Sequence, residues 1–242
     1  MKTDLDRYLD VVSSSIRKRI WQFGNNYAPN SMPVFIVGVQ RSGTTMLGSC
    51  LERSPEIMHY PEHDKRAFND YIMHDAAIIQ QLVSRCPQKA VVFKPLTGSH
   101  RVVDLITRFG KGKAIWMYRR YENRASSAVT KFGMHNLELM REFVKGEGLE
   151  RWQGKGIEKE EIDLIRSFNP DDMKPREAAI LFWYIRNKLF FKQGLESNPS
   201  VCLVAYESLV KNPEKVMRDL CDYLGCKYYP YMIKGKSLNL PH

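Results

Sequence analysis

The segment from Val34 to Thr45, reading Val-Phe-Ile-Val-Gly-Val-Gln-Arg-Ser-Gly-Thr-Thr, constrains the fold more than any other part of the chain. An apolar run breaks at Gly38 and turns through Arg41, Ser42 and Gly43. Met46, Leu47, Cys50 and Leu51 follow at a spacing that predicts one buried face of a helix. A strand, a glycine turn and a helix in that order let successive backbone N–H groups converge on an anion without Cβ clashes. The helix adds its unsatisfied first-turn donors and the positive end of its dipole. Thr44 and Thr45 fall at its start, where their hydroxyls can donate to phosphate oxygens. Gly38 and Gly43 have the spacing of a phosphate-binding loop, yet Thr44 stands where a nucleotidase keeps its lysine, and the basic residue is Arg41, three places earlier. The pattern therefore predicts a phosphate-bearing ligand and argues against ordinary ATP hydrolysis. A strand-to-helix turn with no ligand is the plainer alternative.

Three more apolar runs, Ala90–Phe93, Ala114–Met117 and Val201–Ala205, read as strands buried in a parallel sheet. With 242 residues, 43% of them apolar, the chain suits a single α/β domain over 1–242. The expected architecture is a P-loop-type three-layer fold, a central parallel sheet of about four to five strands flanked by helices. Leu5, Leu9, Val12, Ile16 and Ile20 predict an opening helix that packs across the core, and a Pro/Asn-rich connector, 25–33, follows it. Helices are expected from Pro175 to Gly194 and from Pro213 to a stop at Gly225. Residues 132–172 are charged, weakly patterned and carry Gly146, Gly148, Gly154 and Gly156, as a lid or acceptor-binding excursion would.

The formal charge of +10 is scattered rather than gathered in a basic tail, which favours an anionic small ligand and gives no reason to expect a nucleic-acid partner. Five cysteines without a Cys-x-x-Cys pair fit reduced thiols in a cytoplasmic protein. No apolar stretch reaches membrane-spanning length, and residues 1–30 lack a signal-peptide pattern.

Ligands of open parallel sheets bind beyond the carboxyl ends of the strands. Here the runs end in Lys94, in Arg119-Arg120 and in Tyr206-Glu207. A magnesium-dependent NTPase would end one of them in Asp to hold the metal. None does, so no metal is expected, and Arg41, Lys94 and Arg119 would neutralise anionic oxygens directly.

At these residues the chain resembles the sulfotransferases that use 3′-phosphoadenosine 5′-phosphosulfate (PAPS). Arg41-Ser-Gly-Thr-Thr45 is similar to the family's 5′-phosphosulfate loop, in the Arg-containing form of the carbohydrate and tyrosylprotein branch. Arg119 followed eight residues later by Ser127 resembles its 3′-phosphate motif. Tyr206-Glu-Ser-Leu and the helix after it resemble the family's Tyr-Glu-Asp-Leu segment. The resemblance implies that Arg41, Ser42, Gly43, Thr44 and Thr45 hold the 5′-phosphosulfate, that Arg119 and Ser127 bind the 3′-phosphate, and that Tyr206 faces the adenine. It makes Lys94 and Arg41 the residues that stabilise charge on the donor during transfer. The cytosolic members place a His two residues after that lysine, where this chain has Leu96. Glu62, in the region where the tyrosylprotein enzymes keep a Glu, is the expected general base, with His63 second and His100 third. A solvated loop carboxylate is the competing reading of Glu62. The family's late Lys-Gly closing loop has a loose match in Lys234-Gly-Lys236, and with His242 so near, that loop is expected to be abbreviated or the chain truncated.

The expected function is thus in-line, metal-independent sulfuryl transfer from PAPS to an acceptor hydroxyl on a carbohydrate, with peptide tyrosine or a small alcohol or phenol also open. The rivals are a P-loop phosphotransferase of kinase type, which should have kept the lysine and an acidic strand end, and a non-catalytic module that binds anionic ligands. Arg120 and Arg124 could also reach phosphate. For Trp183 and Asn187, one helical turn apart, core packing and a buried hydrogen bond are expected.

Overall fold

The structure is a computed structural model that describes residues 4–24 and 31–233. Helix α1 (Asp4–Gly24) precedes strand β1 (Met32–Gly38), helix α2 (Thr44–Leu51) and strand β2 (Ile57–Tyr60). A two-stranded antiparallel ribbon, β3 (Phe68–Asn69) with β4 (Ile72–Met73), leads to α3 (Ala76–Ser84) and β5 (Ala90–Phe93). Then come α4 (Val102–Arg108), β6 (Lys113–Tyr118), α5 (Tyr121–Phe132), α6 (His135–Val144), α7 (Lys159–Ser167) and α8 (Pro175–Lys192). The chain closes with β7 (Val201–Ala205), α9 (Tyr206–Lys211) and α10 (Pro213–Leu224). The main sheet has five strands in the order β2-β5-β1-β6-β7, every neighbouring pair parallel. This is the expected α/β architecture, helices flanking a central parallel sheet. The edge strand β2 escaped the sequence reading because Met58-His59-Tyr60 breaks its apolar run.

Both faces of the sheet are covered except at the edge strand β7, which was expected to be buried but leaves Leu203 exposed. On β1, Phe35 and Val37 face Phe93, Trp116 and helices α3 and α4, while Val34 and Ile36 face Leu47, Leu51 and Leu220 on α2 and α10. Each fully buried aliphatic or aromatic side chain of this kind contributes about 2–3 kcal/mol. Alternation on β1 is invisible as polarity because neither face meets water.

Two expectations need correction. The opening helix forms, but Ile16, Ile20 and Phe23 are exposed rather than packed across the core. The helix meets the body through polar groups, the Arg17 guanidinium lying 4.5 Å from the centre of the Tyr231 ring. The side chains of Leu5 and Leu9, the connector residues 25–30, Lys234-Gly-Lys236 and the chain end at His242 lie outside the described residues. Second, residues 132–172 are better patterned than their sequence suggested. Helices α6 and α7 bury Leu137, Met140, Phe143 and Ile165 against Phe182 and Ile185 of α8, with Val39 from the loop after β1 in the same cluster.

Ionic contacts fasten the excursion to α8. The Glu161 carboxylate, 2% exposed, accepts hydrogen bonds from Lys192 (2.7 Å) and lies 2.9 Å from Lys188. It also accepts from its own cap, the Glu158 N–H at 2.9 Å. The buried Arg186 donates to the Gln153 carbonyl at 3.3 Å and the Lys155 carbonyl at 2.7 Å. Burial opposes ionisation of Glu161, but the Lys192, Glu158 and Lys188 contacts outweigh it and hold the carboxyl at about 2, against 4.5 ordinarily. A depressed folded-state value means stability that is complete above 4.5 and is lost as pH falls towards 2. Glu161→Gln should cost about 3 kcal/mol at neutral pH and remove that part of the acid dependence. Urea midpoints at pH 7 and pH 3 check this, and a difference between variant and parent that does not shrink in acid would refute it.

Candidate functional site

Parallel register brings the chemistry to one edge. Gly38 pairs with Met117 and Tyr118 with Ala205, so β1, β6 and β7 end within a residue of one another, whereas Tyr60 and Phe93 end β2 and β5 at the level of Phe35, three residues lower. Glu62, Lys94, Arg119 and Tyr206 are each one or two residues past an end, next to the loop that follows β1.

That loop is shaped by its glycines. At Gly38, with φ +128°, an added Cβ would lie 2.4 Å from the Met117 carbonyl oxygen of β6, so only hydrogen fits. Ser99, on the short turn Leu96–Arg101, accepts from the Gly38 N–H (3.1 Å) and donates to the Gly38 carbonyl (3.0 Å). Gly43 caps α2 at φ +91°, and the Tyr206 ring occupies the space a side chain would need. Arg41 adopts φ +70° without being glycine, a conformation that costs about 1 kcal/mol.

A cavity of about 280 Å³ opens above the loop, lined by Arg41, Gly43, Thr44, Thr45, Glu62 and Arg119, together with Gln40, Leu96, Phe132 and Tyr206. Lys94, 2% exposed, donates to the Thr45 hydroxyl at 2.8 Å and forms an ion pair with Glu62. Burial pushes the Lys94 ammonium down to about 8. Arg119 donates to the Arg41 carbonyl at 3.0 Å and stacks 4.3 Å from the centre of the Tyr206 ring. The Arg41 Nε donates to Ser127 at 3.0 Å. Two buried polar atoms at this site have no partner, the Ser42 hydroxyl and the Arg119 Nε. Among the described residues, no carboxylate lies within ion-pairing distance of Arg41 or Arg119. The arrangement has an excess of positive charge and open donors, the complement of a ligand with more than one anionic group.

Of the expected residues, Arg41, Gly43, Thr44, Thr45, Glu62, Arg119 and Tyr206 line the cavity, whereas Ser42, Lys94 and Ser127 do not, Lys94 reaching it through Thr45 and Glu62 and Ser127 through Arg41. Neither His63 nor His100 lines the cavity. His63 is exposed, and His100 faces the excursion, held down to about 4 by burial first and then by Arg186, Arg101 and Lys155. Arg120 is exposed, whereas Arg124 is wholly buried beneath the loop. Ser99 carried no sequence signal, since its role depends on a turn that places it behind Gly38. Trp183 packs as expected, its Nε1 donating to the Arg119 carbonyl at 2.8 Å, and Asn187 donates to the Trp183 carbonyl at 2.9 Å. A larger cleft of about 680 Å³ between α7 and α8, lined by Leu164, Phe168, Met173 and Trp183, holds Glu177 and no cation, so it is no anion site.

The family described as "Sulfotransferase domain" matches residues 31–234. Among solved structures, the sulfotransferase domain from the curacin biosynthetic pathway is similar at 19% identity and a TM-score of 0.55, covering 86% of this chain and 79% of that one. The sulfotransferase domain from the Synechococcus PCC 7002 olefin synthase is similar at 18% identity and a TM-score of 0.51, covering 89% and 81%. These two likenesses concern the fold. No curated protein matches the chain. No described helix is long and apolar enough to cross a membrane.

The crowding at the end of β1 has a measurable consequence. Gly38→Ala should lower stability by about 3 kcal/mol or more. Gly194→Ala, at φ +63° in open space, should cost only about 1 kcal/mol of backbone strain. Chemical denaturation of both variants makes the comparison, and equal losses would show that the strand end is not crowded.

Proposed function

The chain belongs to the sulfotransferase domain family, and on that footing we propose that it moves a sulfuryl group from PAPS to an acceptor hydroxyl, that of a carbohydrate or a similar alcohol. The observation that carries the donor reading is the meeting of Arg41 and Arg119 in one cavity, with Lys94 bonded to the Thr45 and Glu62 of its lining and with the Ser42 hydroxyl and the Arg119 Nε lacking partners. Arg41, Ser42, Gly43, Thr44 and Thr45 hold the 5′-phosphosulfate. Arg119 and Ser127 take the 3′-phosphate, Ser127 giving up its bond to Arg41 for it. Tyr206 holds Arg119 through ring stacking and borders the adenine.

The donor supplies an activated sulfuryl group, whose sulfur exchanges its bond to the phosphate oxygen for one to the acceptor oxygen. Glu62, fixed by Lys94 at the mouth of the cavity, takes the proton from the acceptor hydroxyl. Lys94 and Arg41 compensate the charge that collects on the departing bisphosphate, a stabilisation that fixed cations in a partly desolvated site provide well. Leu96 and Phe132 give the acceptor side an apolar wall, and Leu96 replaces the histidine of the cytosolic branch. The excursion 132–172 shapes the acceptor's approach in this reading, and the Arg41 form of the loop favours a carbohydrate-type hydroxyl.

Calorimetric titration tests the donor. Adenosine 3′,5′-bisphosphate should bind in the micromolar range without magnesium, and ATP only weakly. Equal affinity for both, or binding of neither, would overturn the reading. Arg119→Ala should weaken the bisphosphate by roughly tenfold to a hundredfold and adenosine 5′-monophosphate far less. A screen of acceptor classes with donor present, read by mass shift, identifies the hydroxyl. Once an acceptor is found, Glu62→Gln should lower kcat by about a hundredfold or more with bisphosphate affinity retained. Lys94 is charged below its value near 8 and neutral above it, so kcat should decline as pH rises past 8. Lys94→Arg, which stays charged, should move that alkaline limb upward. A limb that does not move would exclude Lys94 as its source.

A further inference from the structure

Two consecutive carbonyls of the anion loop are each met by an arginine. Arg119 holds the Arg41 carbonyl. The Gln40 carbonyl accepts from the Nε of Arg124 at 3.1 Å. Arg124 lies on α5 with no exposed surface and belongs to no ion pair among the described residues. Its Nη1 donates to the Ala179 carbonyl of α8 at 2.8 Å, its guanidinium lies 5.2 Å from the centre of the Phe182 ring, and its Nη2 has no partner. The small side chains of Ala125, Ala128 and Ala179 line the contact between α5 and α8 beside it. Burial, and then the charge of Arg41, draws this guanidinium down to about 9. A charge so placed is costly unless something compensates it.

The planar trans peptide gives the bond to Gln40 a consequence. The C=O of Gln40 and the N–H of Arg41 point in opposite directions. Holding that carbonyl beneath the loop aims the Arg41 N–H toward the cavity that both residues line. The same peptide leads into the strained left-handed conformation of Arg41, which a peptide flip would relieve. Resting on the donor reading above, we propose that Arg124 is a positioning residue for the 5′ end of the donor. It locks the Gln40–Arg41 peptide with its N–H presented to the 5′-phosphate group, and places a buried positive charge under that group. Arg119 serves the 3′ end, so the two arginines of α5 and its preceding turn divide the ligand between them.

Three probes and two variants test this. The probes are adenosine 3′,5′-bisphosphate, adenosine 5′-monophosphate and adenosine 3′-monophosphate, titrated into the full chain. Arg124→Met should weaken the first two about tenfold or more and change the third by less than about twofold. Arg124→Lys keeps the charge but reaches only one of the two carbonyls, so it should give a smaller loss with the same selectivity. It also carries the test should Arg124→Met fail to fold. Loosened packing between α5 and α8 would weaken all three probes alike, and that outcome would overturn the proposal. So would unchanged affinity for the two 5′-phosphates while the parent protein binds them, an outcome that leaves the donor reading standing. If the parent binds none of the probes, the donor reading and this inference fall together.

Discussion

Like charges gathered at one edge of a sheet repel, and the protein holds the arginines there without neutralising them. Arg119 is tied to the Arg41 carbonyl, Arg124 to the carbonyls of Gln40 and Ala179, and Lys94 to the Thr45 hydroxyl. Neutral acceptors fix the direction of a cation and leave most of its charge for a ligand, whereas a carboxylate would consume it. Among the described residues, Glu62 is the one carboxylate paired with Arg41, Lys94, Arg119 or Arg124, and it meets Lys94 while lining the cavity. The site is therefore preorganised for anions, and its geometry follows from backbone groups that the parallel sheet and its loop place rigidly.

The excursion between α5 and α8 obeys a different logic. Its buried carboxylate, Glu161, is paired with Lys188 and Lys192, and its apolar residues cluster with those of α8. Pairing suits a segment whose task is to stay docked, and lack of pairing suits a loop that must receive a ligand. The contrast between these two regions separates structural from functional charge more clearly than the overall excess of +10 does.

Much of the fold was legible because parallel strands leave short apolar runs, and the buried β1, β5 and β6 and the half-exposed β7 all did so. β2 did not, since an edge strand with His59 inside it has no continuous run. The residues at strand ends were legible for a topological reason, as parallel strands deliver whatever follows them to the same edge. Arg124 and Ser99 were not, because their importance lies in carbonyl and amide partners across the fold, at Gln40 and Gly38, that no local spacing encodes. The helices of 132–172 were obscured by the many exposed charged residues on their outer faces. The exposed stripe on α1 misled in the other direction, because periodicity reports a helix face and says nothing about whether the body covers it.

Val39 is the first residue after β1, and its side chain is buried in one cluster with Leu137, Phe143 and Phe182. The anion loop and the helical excursion therefore share a wall one side chain thick. Interiors this dense transmit volume changes instead of absorbing them. A substitution that enlarges or empties the excursion's core would press on the loop or let it sag. A volume change in the excursion's core therefore calls for a compensating change at Val39, the residue behind the loop.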